Sequence, residues 1–189
     1  MSSRLLAVTV QGAAISALSN TLAQGFTVYR ERSLSSIDPV SFLHFIILAV
    51  ISTPLNYQWQ LALENHFPST FKKDTVALKK KEDGTTVQDE SREQLSIPNT
   101  LAKFILDQTV GSALNTLYFV AMINVLKGAG WSQVLTALQR DFWPMLVAGY
   151  KFWPLVTLGN LVLVPVEQRM LVGGLAGLAW GIYVSLLDL

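Results

Sequence analysis

The chain has 189 residues, a formal net charge of +1 and no cysteine, and is 51% hydrophobic but only 14% charged, against about 25% charged in an average soluble domain. So few charges cannot cover a water-facing surface of this size, and a balance near zero leaves no electrostatic footprint for nucleic acid. The absence of cysteine excludes disulfides, thiolate metal sites and iron–sulfur ligation.

Four runs carry no Asp, Glu, Lys or Arg: Leu5–Tyr29, Ser41–Leu63, Gln108–Leu126 and Met170–Leu187. Each approaches or exceeds the roughly 20 helical residues that cross a hydrocarbon core. A fifth stretch, Phe142–Val166, is interrupted only by Lys151. These runs predict an all-α fold, a multi-span transmembrane bundle of four to six membrane helices forming one domain over residues 1–189.

Helix one is expected from about Leu5 to Val28, with Tyr29, Arg30 and Arg32 marking an interface, aromatic then basic. Gln11, Ser16, Asn20 and Gln24 interrupt the run, which argues for a retained, embedded N-terminus rather than a cleaved signal. Asp38-Pro39 reads as a helix start, an Asp cap followed by a proline in the first turn. The second helix should run to about Asn65, with a kink at Pro54, whose ring cannot donate to the Val50 carbonyl. Residues 69–98 hold six bases and six acids around Gly84 and read as a polar, mobile connection. Asn99 or Thr100 opens helix three, which ends near Lys127-Gly128. A short amphipathic helix runs from Trp131 to about Arg140-Asp141, followed by the proline-rich stretch, and the last helix begins near Met170. There Gly173, Gly177 and Gly181 fall on one face, where another helix can approach closely. Lysines crowd the long loop, so the loop and the N-terminus are expected on the cytosolic or matrix side.

Polar residues recur four apart inside the apolar helices, and so share a face. Helix one carries Gly12, Ser16, Asn20 and Gln24; helix two carries Ser52, Asn56, Gln60 and Glu64; helix three carries Asp107, Gly111 and Asn115, flanked by Gln108 and Ser112. Tyr150, Thr157 and Asn160 lie on roughly one side of the fourth stretch. Lipid offers these groups no hydrogen bond. They are therefore either interhelical glue or the wall of a wet central path. An ionisable residue at membrane depth marks function, and Asp107 is expected to pair with Lys103 one turn away or with Lys151. The two histidines, His44 and His66, have no nucleophile or metal pattern around them, and no phosphate loop or hydrolase motif is present; no enzyme activity, cofactor or metal is expected.

Phe142-Trp143-Pro144 returns ten residues later as Phe152-Trp153-Pro154, about 15 Å along a helix. Each proline is expected to begin a new helical piece. Together with Lys151, Asn160, Val164-Pro165, Arg169 and the late Trp180 and Tyr183, this region resembles the signature of the family named after the twenty-two-kilodalton peroxisomal membrane protein and the Mpv-seventeen protein of the mitochondrial inner membrane. "TPLNYQWQLALENHFP" and "LAKFILDQTVGSAL", which holds Asp107 and Gln108, resemble the family's upstream segments, and "ALSNTLAQ" matches more weakly, with Asn20 where members often carry aspartate. The resemblance implies a small multi-span organelle-membrane protein, of the mitochondrial inner membrane or alternatively of the peroxisome. It implies a weakly selective pore for small solutes; the alternative, with the stripes used only for packing, is a structural or scaffolding membrane protein without transport. Membrane lipid and a second copy or another membrane protein are the expected partners. The residues expected in the polar core are Ser16, Asn20, Gln24, Asn56, Gln60, Asp107, Gln108, Asn115, Lys151 and Asn160.

Overall fold

The computed structural model of the chain describes residues 2–72 and 93–186. Five of the six bases in the polar connection, all but Lys72, lie outside the described residues. Helix α1 spans Ser2–Glu31, α2 Pro39–His66, α3 Ile97–Leu106, α4 Ser112–Leu126, α5 Trp131–Gly149, α6 Trp153–Leu163 and α7 Arg169–Leu186. A single π-helical turn, Asp107–Gly111, joins α3 to α4 into one continuous 30-residue rod. Among the described residues, α1, α2 and this rod are long and apolar enough to cross a membrane, and the bent pair α5–α6 makes a fourth if counted as one span.

The starts and stops follow local chemistry. Asp38 has extended backbone, and its side chain accepts from the backbone N–H groups of Val40 and Ser41, both at 3.0 Å. Gln24 of α1 fixes that cap from outside, accepting from the Asp38 N–H at 2.9 Å and donating to its carbonyl at 2.8 Å. Asp38→Ala is therefore expected to cost about 1 kcal/mol, read as a lower unfolding midpoint in detergent, while Asp38→Asn, which keeps the acceptor, retains most of it. Gly128 closes α4 with φ +80°, a left-handed position that costs glycine nothing.

Pro54 lies inside α2, as expected. Pro144 departs from expectation: it lies inside α5 and begins no new piece. Pro144 removes one backbone bond, to Arg140. Val134 and Ala137 before it and Leu146 after it are buried, so side-chain packing outweighs that loss and carries α5 past the predicted stop at Arg140-Asp141. The break comes instead at Tyr150–Phe152, where α5 and α6 meet at 51°, and Pro154 sits in the first turn of α6. The two Phe-Trp-Pro copies thus differ in role. Trp143 is 66% exposed, whereas Phe152 stacks on Trp180 with ring centroids 5.6 Å apart and Trp153 lies 6.3 Å from the same ring, fastening α6 to α7.

The polar connection is also more ordered at its ends than expected. Strands β1 (Thr70–Lys72) and β2 (Glu93–Leu95) pair antiparallel, Thr70 opposite Leu95, and the Ser96 N–H donates to the Ser69 carbonyl at 2.8 Å.

Around the bundle, α1 packs on α2 and α7, α7 on α6, α6 on α3, and α4 back on α2, closing a ring; α5 lies outside it against α4. Contacts are close where glycine permits. A Cβ on Gly12 would collide with Thr53 of α2, and one on Gly174 would stand 2.7 Å from Ile15 Cδ1. Gly173 and Gly177 face α6 less tightly, 3.7 Å from Asn160 Nδ2 and 3.9 Å from Trp153; the surroundings of Gly181 and Tyr183 lie outside the described side chains. Among the described residues, seven apolar and eight polar or charged side chains are buried, while Leu163 and Leu155 are 81% and 76% exposed. An interior this polar beneath an apolar surface is the arrangement expected when lipid is the surrounding solvent.

Candidate functional site

Two polar centres occupy the ring, one turn apart along α3. The first gathers around Glu64, near the C-terminus of α2. Its Oε2 accepts from Lys103 Nζ at 2.7 Å, Arg169 Nη1 at 2.8 Å and Ser69 Oγ at 2.9 Å, and its Oε1 accepts from the Ser69 N–H at 2.6 Å. Lys103 Nζ also donates to Ser69 Oγ, as does Arg169 Nη2 at 3.1 Å. The remaining guanidinium donors go to α6: Nε to the Val164 carbonyl at 3.1 Å and Nη2 to that of Leu161 at 3.3 Å. Asn160 Nδ2 returns a bond to the Arg169 carbonyl at 3.0 Å. Lys103 is 1% and Arg169 5% exposed. This cluster ties α2, the ribbon, α3, α6 and α7 together at the end of the ring beside the connection.

The second centre is Asp107, the first residue of the π turn. Its Oδ1 accepts from Trp59 Nε1 at 3.1 Å and Gln60 Nε2 at 3.0 Å, and its Oδ2 accepts from Gln108 Nε2 and Thr157 Oγ1, both at 3.3 Å. Gln108 Nε2 also donates to Thr157 Oγ1 at 2.9 Å, and the Tyr150 hydroxyl donates to the Gln108 carbonyl at 2.8 Å. Both Asp107 and its neighbour Gln108, the first two residues of the π turn, join the network. Gly111 leaves room for the indole: a Cβ there would sit 3.0 Å from Trp59 Nε1.

The expected Asp107 pairings are corrected by this geometry. Lys103 turns to Glu64, because α2 brings a carboxylate and Arg169 to that level. Lys151 is exposed at the α5–α6 bend, with no side-chain partner among the described residues. All four donors to Asp107 are neutral.

The other residues of the polar stripes divide. Ser16 donates to the Phe45 carbonyl at 2.9 Å and Gln24 to Asn20 Oδ1 at 2.7 Å, so the α1 stripe sits in the α1–α2 seam. Gln60, Asp107 and Gln108 meet in the second centre, and Asn160 supports the first through Arg169. Asn56 is half-buried and Asn115 exposed, and neither side chain has a hydrogen bond among the described residues. Of the signature positions, Pro165 lies between α6 and α7, accepting from the Gln168 N–H at 2.9 Å, and Arg169 carries the first centre. Glu64 was visible as the end of a stripe, but nothing local marked Ser69, Trp59 or the charge role of Arg169. A cleft of about 430 Å³ between α4 and α5, lined by Asn124, Gln133, Thr136 and Arg140 among others, shares no residue with either centre.

Residues 124–185 match the sequence model described as the Mpv17 / PMP22 family. Over 93% of its length the chain is 28% identical to "PXMP2/4 family protein 3" of Dictyostelium discoideum, covering 79% of that protein. It is 32% identical to "Mitochondrial inner membrane protein Mpv17" of Rattus norvegicus over 46% of this chain and 49% of the relative. It is 27% identical to "Protein SYM1" of Yarrowia lipolytica over 45% and 42% respectively. No solved structure matches the chain.

Proposed function

We propose that this chain, which belongs to the Mpv17 / PMP22 family, is an integral organelle-membrane protein whose polar ring interior is a weakly selective path for small solutes. The observation that carries this reading is the seam between α2 and α4. The two helices touch at Phe45–Phe119, ring centroids 6.4 Å apart, and α2 meets the π turn ahead of α4 at Trp59–Asp107. Asn115 lies between these contacts, four residues from both Gly111 and Phe119 and so on their face, yet it is exposed and without a hydrogen bond among the described residues. Asn56, one turn from Gln60, is similarly unsatisfied on the facing helix. Amides at this depth need water or a partner, and water filling an unsealed seam supplies it.

Beside Asp107 the path is narrowed by the Trp59, Gln60 and Thr157 side chains, and the Glu64 cluster closes its end beneath the ribbon. The α1 stripe favours the competing reading, a structural protein whose polar residues only pack, since its bonds are all made within the α1–α2 seam. Reconstitution into planar bilayers separates the two. Asp107→Asn is expected to change unit conductance and Asn115→Leu to lower it, whereas a folded protein that passes no current overturns the path. The name of the rat relative supports the mitochondrial inner membrane as that membrane; a fluorescent fusion imaged against mitochondrial and peroxisomal markers tests this. No catalytic role is assigned.

A further inference from the structure

We propose that Lys103, Arg169 and Ser69 form an oxyanion-binding cage in which the Glu64 carboxylate is a resident, exchangeable occupant, and that the ligand taking its place is a small carboxylate or phosphate. That this ligand is a solute using the path rests on the proposed function; the cage itself does not.

Four donors converge on Glu64: the lysine ammonium, one guanidinium nitrogen, and the hydroxyl and backbone N–H of Ser69. Such a constellation recognises an oxyanion whatever carries it. The cage holds two cations against one carboxylate, so an incoming anion meets an excess of positive charge. The cationic walls are nine-tenths buried or more, whereas the Glu64 side chain is 19% exposed; the anion is the accessible member. Helix polarity disfavours a charge at its position. Glu64 lies two residues before the end of α2, where the helix dipole disfavours negative charge, while Arg169 begins α7, whose N-terminus favours an anion near the cage. Arg169 would keep its place on exchange, since its Nε and Nη2 are held by α6 carbonyls.

The test is chemical replacement of the missing carboxylate. Full-length Glu64→Ala protein in detergent is unfolded thermally in sodium formate, acetate, inorganic phosphate or chloride at matched ionic strength. Formate is expected to raise its midpoint saturably by several degrees over chloride, with little effect on wild type or on Glu64→Gln, whose amide fills the space. The Glu64→Ala/Arg169→Gln double variant should lose the effect. Phosphatidate added to the micelle distinguishes the source: a shift with phosphatidate but not with soluble phosphate, formate or acetate assigns the cage to a lipid headgroup and overturns the solute. Equal formate shifts in all variants, no shift, or failure to recover folded Glu64→Ala protein with formate present each overturn the exchange. These readouts need no current, so a silent bilayer would sink the path while leaving the cage standing.

Discussion

Replacing Arg169 by alanine is expected to destabilise the detergent-solubilised protein by about 3–5 kcal/mol, the usual cost of removing one partner from a buried ionic cluster. The reason is the number of elements that end on this side chain. Its Nη1 neutralises Glu64 of α2, its Nη2 reaches Ser69 ahead of the ribbon, and Nε and Nη2 satisfy the Val164 and Leu161 carbonyls at the C-terminus of α6. Those carbonyls have no helical partner of their own. Without the guanidinium they stay unpaired, and Glu64 keeps Lys103 as its cation beside the two Ser69 donors. Arg169→Lys is expected to recover part of the loss, because an ammonium restores the charge but cannot span Glu64 and two carbonyls in the fixed fork of a guanidinium. Equilibrium unfolding in mixed micelles measures all three proteins. An Arg169→Ala loss within about 0.5 kcal/mol of zero, the range of ordinary surface changes, would show that the cluster does not hold the ring closed.

How far the sequence showed this architecture depends on the range over which each feature is written. The spans were legible because uncharged runs are local, and the start of α2 was legible because Asp38 and Pro39 stand where the cap is made. Asp107 was legible as an inward-facing group, since a carboxylate in an apolar helix cannot be left facing lipid. Its partners were not. A reading by helical periodicity pairs Asp107 with Lys103, four positions away, but Lys103 answers to Glu64, and Glu64 to Arg169, 105 positions distant. Only the closed ring brings those together. The π turn was invisible for a different reason: it is chosen by what Trp59 and Thr157 offer from neighbouring helices, not by the propensities of residues 107–111. The course of α5 through Pro144 likewise follows from tertiary packing overriding a local penalty, and the ends of the polar connection pair as strands although their composition reads as a loop.

Gly12→Val should loosen the ring from its other side, with an expected loss of about 1–3 kcal/mol, the range for overpacked cores. The stripe Gly12, Ser16, Asn20 and Gln24 marked a polar face on α1, but it is glycine's lack of a side chain that sets how near α2 lies. A Cβ at residue 12 would overlap Thr53 Oγ1, stand 2.9 Å from its Cγ2 and 3.1 Å from its Cβ. Thr53 cannot swing clear, since a β-branched side chain has few χ1 states open to it in a helix and its Cβ does not move with χ1. The helices must therefore separate, and that stretches the Ser16 bond to the Phe45 carbonyl and the Gln24 clasp on Asp38. Gly12→Ala is expected to cost less than valine. Adding Thr53→Ala should return part of the loss, because only the Cβ contact at 3.1 Å then remains tight. A double-mutant cycle in detergent gives the coupling between the two positions. Strictly additive losses would mean that α1 and α2 do not meet at this pair, and their seam would have to be held elsewhere, by contacts such as the Ser16 and Gln24 bonds.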